Sequence, residues 1–398
     1  MNVEHLLRAA VDDAVREVPP GFADGAIRRA VRARRRARFV AGGGAALVVA
    51  AAAAGVALVG PSAPRTDAPP AGTGDADVID LGALPTGPAP EVPWYADGAL
   101  HVGSQVTPTG IAWEARADRP VIQRVSDGYV VWTWGSEASA NGDSTLTLVS
   151  DDGDEVVLAD GRVTTPAVSP GGELIAWGVP DYDWATDEQA REDGLTSIVM
   201  VYDAVTGEVV GELPDAPSPG ARPKGFLDDG RVVVEAAANE SWGTYAWAPG
   251  GEVALLREDL GVRAVSPGGL AVLGGTTGPA EVTDLATGTT LWGLADGYLH
   301  QFSPDGRYLA MVETWDSVER PDDVVILDAR TGAEMGRFTF QAANALRWES
   351  PTSVVIEAHD DASAALVRCT VGDACESATE VRPADPDPDA FDNPYVLG

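Results

Sequence analysis

Lysine is almost missing from this 398-residue chain; Lys224 is the only one. Arginine brings the basic total to 27, against 61 acidic residues, for a formal net charge of −34. Gripping nucleic acid takes clustered Lys and Arg on the phosphates, so this balance excludes a bulk nucleic-acid binder. Cysteine is limited to Cys369 and Cys375, and histidine to His5, His101, His300 and His359. Catalytic signatures are missing too. There is no Gly-x-Ser-x-Gly, P-loop, His-Glu-x-x-His or post-strand Gly-x-Gly-x-x-Gly. What abounds is glycine (45) and proline (29), which favours many turns over a helical bundle. A hydrophobic content of 45% with 11 Trp argues against a mostly disordered chain.

The charge is segregated along the sequence. Residues 1–38 hold nine Arg and five acids, residues 39–60 hold no charge, and residues 61–398 hold 18 basic and 56 acidic residues. The uncharged run of 22 residues, FVAGGGAALVVAAAAAGVALVG, is long enough to cross a bilayer as a helix. RRAVRARRRAR precedes it and an acidic chain follows, so the positive-inside rule puts the N-terminus in the cytoplasm and residues 61–398 outside. A cleaved signal peptide is the rival reading, weakened by the length of the basic segment.

Residues 3–18 carry an apolar helical stripe, which predicts a short helical cytosolic tail over 1–38. That tail reads either as a docking helix or as a basic anchor to anionic lipid. It holds one His and no Cys, too few for the usual zinc sets. Residues 61–91 are Pro-rich and read as an extended stalk, interrupted by VIDLGAL (78–84), which reads as an extra strand.

Residues 92–382 repeat a strand–turn–strand unit. Its copies are QRVSDGYVVWTWG (123–135), TPAVSPGGELIAWG (165–178), KGFLDDGRVVVEA (224–236), RAVSPGGLAVLGG (263–275), HQFSPDGRYLAMVE (300–313) and LRWESPTSVVIEA (346–358). Second hairpins follow, with an Asp-x-x-Thr-Gly turn in IVMVYDAVTGEVVGEL, EVTDLATGTTLWGL and VVILDARTGAEMGRF. In that turn the Asp side chain accepts from backbone amides and the Gly closes a bulged hairpin. Two hairpins per repeat make a four-stranded sheet, the unit of a propeller blade. Six blades are read directly and PWYADGALHVGS (93–104) begins a seventh. The expected fold is therefore all-β, a seven-bladed β-propeller with six blades as the alternative. The runs LIAWG, VVVEA, LAVLG and YLAMV read as inner strands buried between blades. Residues 383–398 read as an acidic C-terminal tail.

The SPDG-type turn followed by an apolar strand resembles WD-repeat-like and TolB-like propeller repeats. With the Arg cluster, LPTGPAPEVPWYADGALHVG (84–103) and the terminal Cys pair, the chain resembles actinobacterial single-span proteins with such an ectodomain, some encoded beside extracytoplasmic-function sigma factors. The resemblance implies the fold. It also implies a sigma-factor partner for residues 1–38, although the tail lacks the His/Cys set of a zinc-binding anti-sigma domain. Propellers host unrelated activities, so function has to be read from a site.

Cys369 and Cys375 flank a hairpin turn outside the cell and read as a disulfide. The long acidic loops carry Asp181, Asp183, Trp184, Trp242, Trp315 and Asp316, aromatics beside carboxylates that suit a sugar, peptide or cationic ligand. Asp181, Asp183, Asp187 and Glu188 offer calcium ligands without an EF-hand pattern. His101, His300 and His359 read as inner-strand residues that would converge on the channel, as a metal-dependent hydrolase or lactonase would need. The leading expectation is a non-enzymatic, membrane-anchored extracellular module that binds a cell-envelope ligand or protein. A sigma-factor regulator and a hydrolase are the alternatives.

Overall fold

The computed structural model describes residues 78–398, apart from 110–119, 135–143, 181–195, 217–219, 239–240, 275–278, 295–296, 314–320, 361 and 385–393. The expected tail and membrane span lie outside the described residues. Among the described residues, no helix is long and apolar enough to cross a membrane.

Seven antiparallel sheets follow one another along the chain, which settles the count at seven blades. Blade 2 consists of Val121–Val125, Gly128–Trp134, Ser144–Ser150 and Glu155–Gly161; blade 3 of Ala167–Val168, Leu174–Pro180, Ser197–Asp203 and Glu208–Ala216. Blade 4 holds Arg222–Phe226, Val232–Ala238, Ser241–Trp247 and Val253–Arg257; blade 5 holds Gly261–Val265, Leu270–Gly274, Ala280–Asp284 and Thr289–Leu294. Blade 6 is built from Gly297–Phe302, Tyr308–Glu313, Asp322–Asp328 and Glu334–Phe340. Blade 7 is built from Ala342–Trp348, Ser353–His359, Ser363–Thr370 and Cys375–Ser377, with Arg382–Pro383 paired to its third strand. The first strands of successive blades touch from blade 2 through to blade 7.

Blade 1 is closed from both ends of the fold. Trp94–Ala96, Ala99–Val102 and Gln105–Pro108 supply three strands, and Val396–Leu397 adds the innermost one. The segment expected as an acidic tail therefore ends in a strand of the ring. Its apolar residues explain this: Tyr395 and Leu397 are buried beside Trp94 and Ala96 of blade 1 and Val355 and Leu366 of blade 7.

The turn chemistry is as the residues dictate. The Oδ1 atoms of Asp203, Asp284 and Asp328 each accept two amides of the following turn, at 2.9–3.1 Å. Gly207, Gly288 and Gly332 take left-handed φ of 74°, 67° and 70° there. In the Ser-Pro turns, the Ser169, Ser266 and Ser303 hydroxyls accept the amides of Leu174, Leu270 and Tyr308 at 2.9 Å.

LIAWG, VVVEA, LAVLG and YLAMV are the second strand of their blades, not the one that lines the channel. A second strand has a neighbour on each side and packs on the adjacent blades, so both faces are apolar. Seven apolar clusters among the described residues fill the seven seams between successive blades.

VIDLGAL does not form a strand. Leu81–Ala83 is a single 3-10 turn capped by Asp80, and Leu81 is buried in the seam of blades 6 and 7. Thr86 then bridges to Ser377 of blade 7. Residues 78–91 thus lie against the propeller. Arg368 holds them by donating to the carbonyls of Pro88 (3.1 Å) and Ala89 (3.2 Å) while it pairs with Glu349 and Glu376.

Candidate functional site

A built concavity lies at the channel mouth, on the face formed by the turns between first and second strands. It has a volume of about 470 Å³, within the range of small-molecule pockets. Its rim includes the turn prolines Pro170, Pro267 and Pro304, and Phe226, Phe302 and Trp348 give it an aromatic wall.

Its charge is opposite to that of the protein. Arg124, Lys224, Arg263 and Arg347 line it, with His300 and the amides Gln123 and Gln301, and among the described residues no Asp or Glu does. The repeat explains how this comes about. Lys224, Arg263 and His300 occupy one place, three residues ahead of the residue that opens the turn (Leu227, Ser266, Ser303). Gln123 holds that place in blade 2, and Arg124 and Arg347 stand one residue nearer the turn. In blades 4, 5 and 6 the first strand slips register there, between Pro223 and Gly225, Val262 and Ala264, and Tyr298 and Gln301. A bulge re-aims its extra residue, which here brings the side chain onto the cavity.

The cations differ in how they are held. Arg124 pairs with both oxygens of Asp151 and lies over the Tyr129 ring; that pairing raises the guanidinium and lowers the carboxyl. Lys224 Nζ is 3.4 Å from Glu235, whose other oxygen accepts the Val262 amide of the next blade at 2.9 Å. Arg263 donates to the Gly297 carbonyl at 3.3 Å. Arg347 keeps some surface on the cavity but is walled in by protein. Burial pulls its guanidinium down to about 10, opposed by the field of Glu357. Its Nη1 donates to the Leu346 carbonyl at 2.8 Å and, with the Gln301 amide turned to satisfy both groups, to that side-chain oxygen at 3.1 Å.

The histidines do not converge. His300 lines the cavity, but His101 is in the second strand of blade 1, stacked on Trp94 with ring centroids 4.1 Å apart, and His359 ends the second strand of blade 7. Among the described residues there is no group of three or more His, Cys, Asp or Glu placed to hold a metal. Of the acidic-loop candidates, Asp181, Asp183, Trp184, Trp315 and Asp316 lie outside the described residues, as do Asp187 and Glu188. Trp242 is described, half-buried in blade 4 with the Arg222 guanidinium 5.9 Å from its ring centroid. Cys369 and Cys375 form a disulfide across the last hairpin of blade 7.

The architecture defines the class: a seven-bladed β-propeller. No protein-family model matches the chain, and no curated protein does. Among solved structures it is similar to TolB from Acinetobacter baumannii, 14% identical over 63% of this chain and 76% of that one, with a TM-score of 0.39. It is also similar to a prolyl endopeptidase, at 14% identity and a TM-score of 0.45 over 68% of this chain, and spans only 44% of that enzyme. The propeller domain of Myceliophteria thermophila Cps50 (Swd1) is 10% identical, with a TM-score of 0.43, over 72% and 97% of the two chains. Likenesses this remote carry no activity across, and the seven-bladed assignment rests on the sheets themselves.

Proposed function

We propose that the chain is a binding module on a membrane anchor: residues 39–60 span the membrane, the propeller lies outside, and the channel mouth takes a cell-envelope ligand or protein. The observation that carries the binding role is the 470 Å³ cavity, which first strands of six blades line and into which four of them bring a basic side chain within a strongly acidic protein. The anchor reading is supported by the 22-residue uncharged run behind an Arg cluster. A metal-dependent hydrolase has little support from histidines that stand in separate places.

A second reading keeps the propeller as a sensor and gives residues 1–38 a cytosolic sigma factor to hold. The apolar stripe at 3–18 favours it. Crosslinking capture from native membranes separates the two, comparing the full chain with one lacking residues 5–30 but keeping the Arg cluster. The binding-module reading expects the same envelope component from both. A sigma factor captured only by the full chain would replace it with the regulator, and external protease that leaves the propeller intact in whole cells would refute the orientation.

A further inference from the structure

The geometry points to the channel mouth as a site for a small polyanion, a ligand bearing clustered phosphate or carboxylate oxygens next to an apolar or planar part. This rests on the reading of the propeller as a binding module and names its ligand class.

Three observations carry it. The first is sign. Residues 61–398 hold 56 acids and 18 bases, yet four of those bases line one cavity and, among the described residues, no acid does. A negative surface repels anions at long range, so a cationic recess within it selects those able to reach short, direct contacts. The second is Arg347. A walled-in guanidinium is costly to bury, and no ion pair among the described residues includes it. Two neutral oxygens take up Nη1 and the Glu357 carboxylate acts on the group only through its field, which leaves the fork's other donors for the oxygens of an anionic ligand. The third is construction. Lys224, Arg263 and His300 reach the cavity from the same bulged place in three successive blades, so these side chains surround one volume. Phe226, Phe302 and Trp348 add a wall against which a ring or chain can lie.

The test uses the full chain, with inorganic pyrophosphate and citrate as separate probes in calorimetric titration at two salt concentrations. Both are expected to bind at one site per chain, more weakly at higher salt. Arg347→Gln and Arg263→Gln should each weaken binding about tenfold or more, as loss of a charge-assisted contact does. Arg347→Lys should retain part of the affinity, and Arg330→Gln, an exposed cation outside the cavity, should change nothing. Pyrophosphate alone binding would assign a phosphorylated ligand, and citrate alone a carboxylated one. Melting temperatures of all variants guard against misfolding, with Arg263→Gln standing in should Arg347→Gln not fold. No binding of either probe at low millimolar concentration, or binding that both Gln variants leave unchanged, overturns the proposal. An envelope partner still captured at the channel mouth in that event would leave the binding-module reading standing; loss of both would remove that reading too.

Discussion

Replacing Leu397 by alanine tests how the ring closes. Leu397 sits in the two-residue strand that pairs with Trp94–Ala96, and it is 3% exposed. Its amide donates to Glu357 Oε2 of blade 7 at 3.0 Å, and the next amide, of Gly398, donates to the Pro93 carbonyl at 3.0 Å. The Leu397 side chain packs in the cluster that seals blade 7 to blade 1. Truncating a buried leucine costs about 2–5 kcal/mol, depending on how far the site collapses. The seam lies at the edge of a short strand and can relax in part, so about 3 kcal/mol is the working value. A folded unit of some 320 residues has an unfolding entropy near 0.7 kcal/mol per kelvin, so the melting temperature should fall by roughly 4 °C. Tyr395→Phe loses the hydroxyl's hydrogen bond to the Glu380 carbonyl (2.6 Å) and should cost about 1 kcal/mol. Scanning calorimetry on the full chain reads both. A Leu397→Ala melting temperature within a degree of the parent would refute the closure argument.

Removing the disulfide by Cys369→Ser with Cys375→Ser opens a loop of six-residue separation, for which chain entropy predicts a loss of about 2 kcal/mol. Urea unfolding with and without reductant should show it in the parent and not in the double variant. Arg368→Met leaves Glu349 without its partner and should destabilise by about 3–5 kcal/mol. The same variant should speed proteolysis within residues 85–91, where Arg368 holds the carbonyls of Pro88 and Ala89. Burial would raise the Asp328 carboxyl, but bonds from the Thr331 hydroxyl and the Thr331 and Arg330 amides outweigh it and hold the group below its usual value. Its stabilisation is therefore present above the unfolded value of 3.8 and lost as pH falls through the lower folded one. Asp328→Asn should flatten that acid-side slope in urea titrations at pH 6, 4 and 3, and an unchanged slope would count against the assignment.

Much of the fold could be read from local chemistry. Asp203, Asp284 and Asp328 marked their turns because an aspartate four residues before a glycine has one economical way to bond. Apolar second strands marked the buried middle of each blade. Closure was harder to see, because Tyr395, Val396 and Leu397 follow a run of Asp and Pro and gain a meaning only when blade 1 is found one strand short. The channel cations were missed for a related reason. Arg263 or Lys224 alone, between apolar residues, looks like any exposed strand position. Ring closure brings them together, although the copies beginning KGF, RAV and HQF already showed the shared place. His300 reaches the channel as expected, but membership of a strand does not tell the strand's place in its blade: His101 and His359 belong to second strands, not to the channel. Loop length and acidity drew attention to the opposite face, where Trp242 is already in contact with Arg222.

Photo-crosslinking from the two faces of the propeller in native membranes tests the central claim directly. A reactive residue at Pro304, on the cavity rim, is compared with one at Trp242, on the acidic-loop face. The account predicts one envelope species captured from Pro304, competed away by the polyanion that binds the channel, and absent from Trp242. Capture from Trp242 alone would contradict it and return the acidic loops to the place of the binding site.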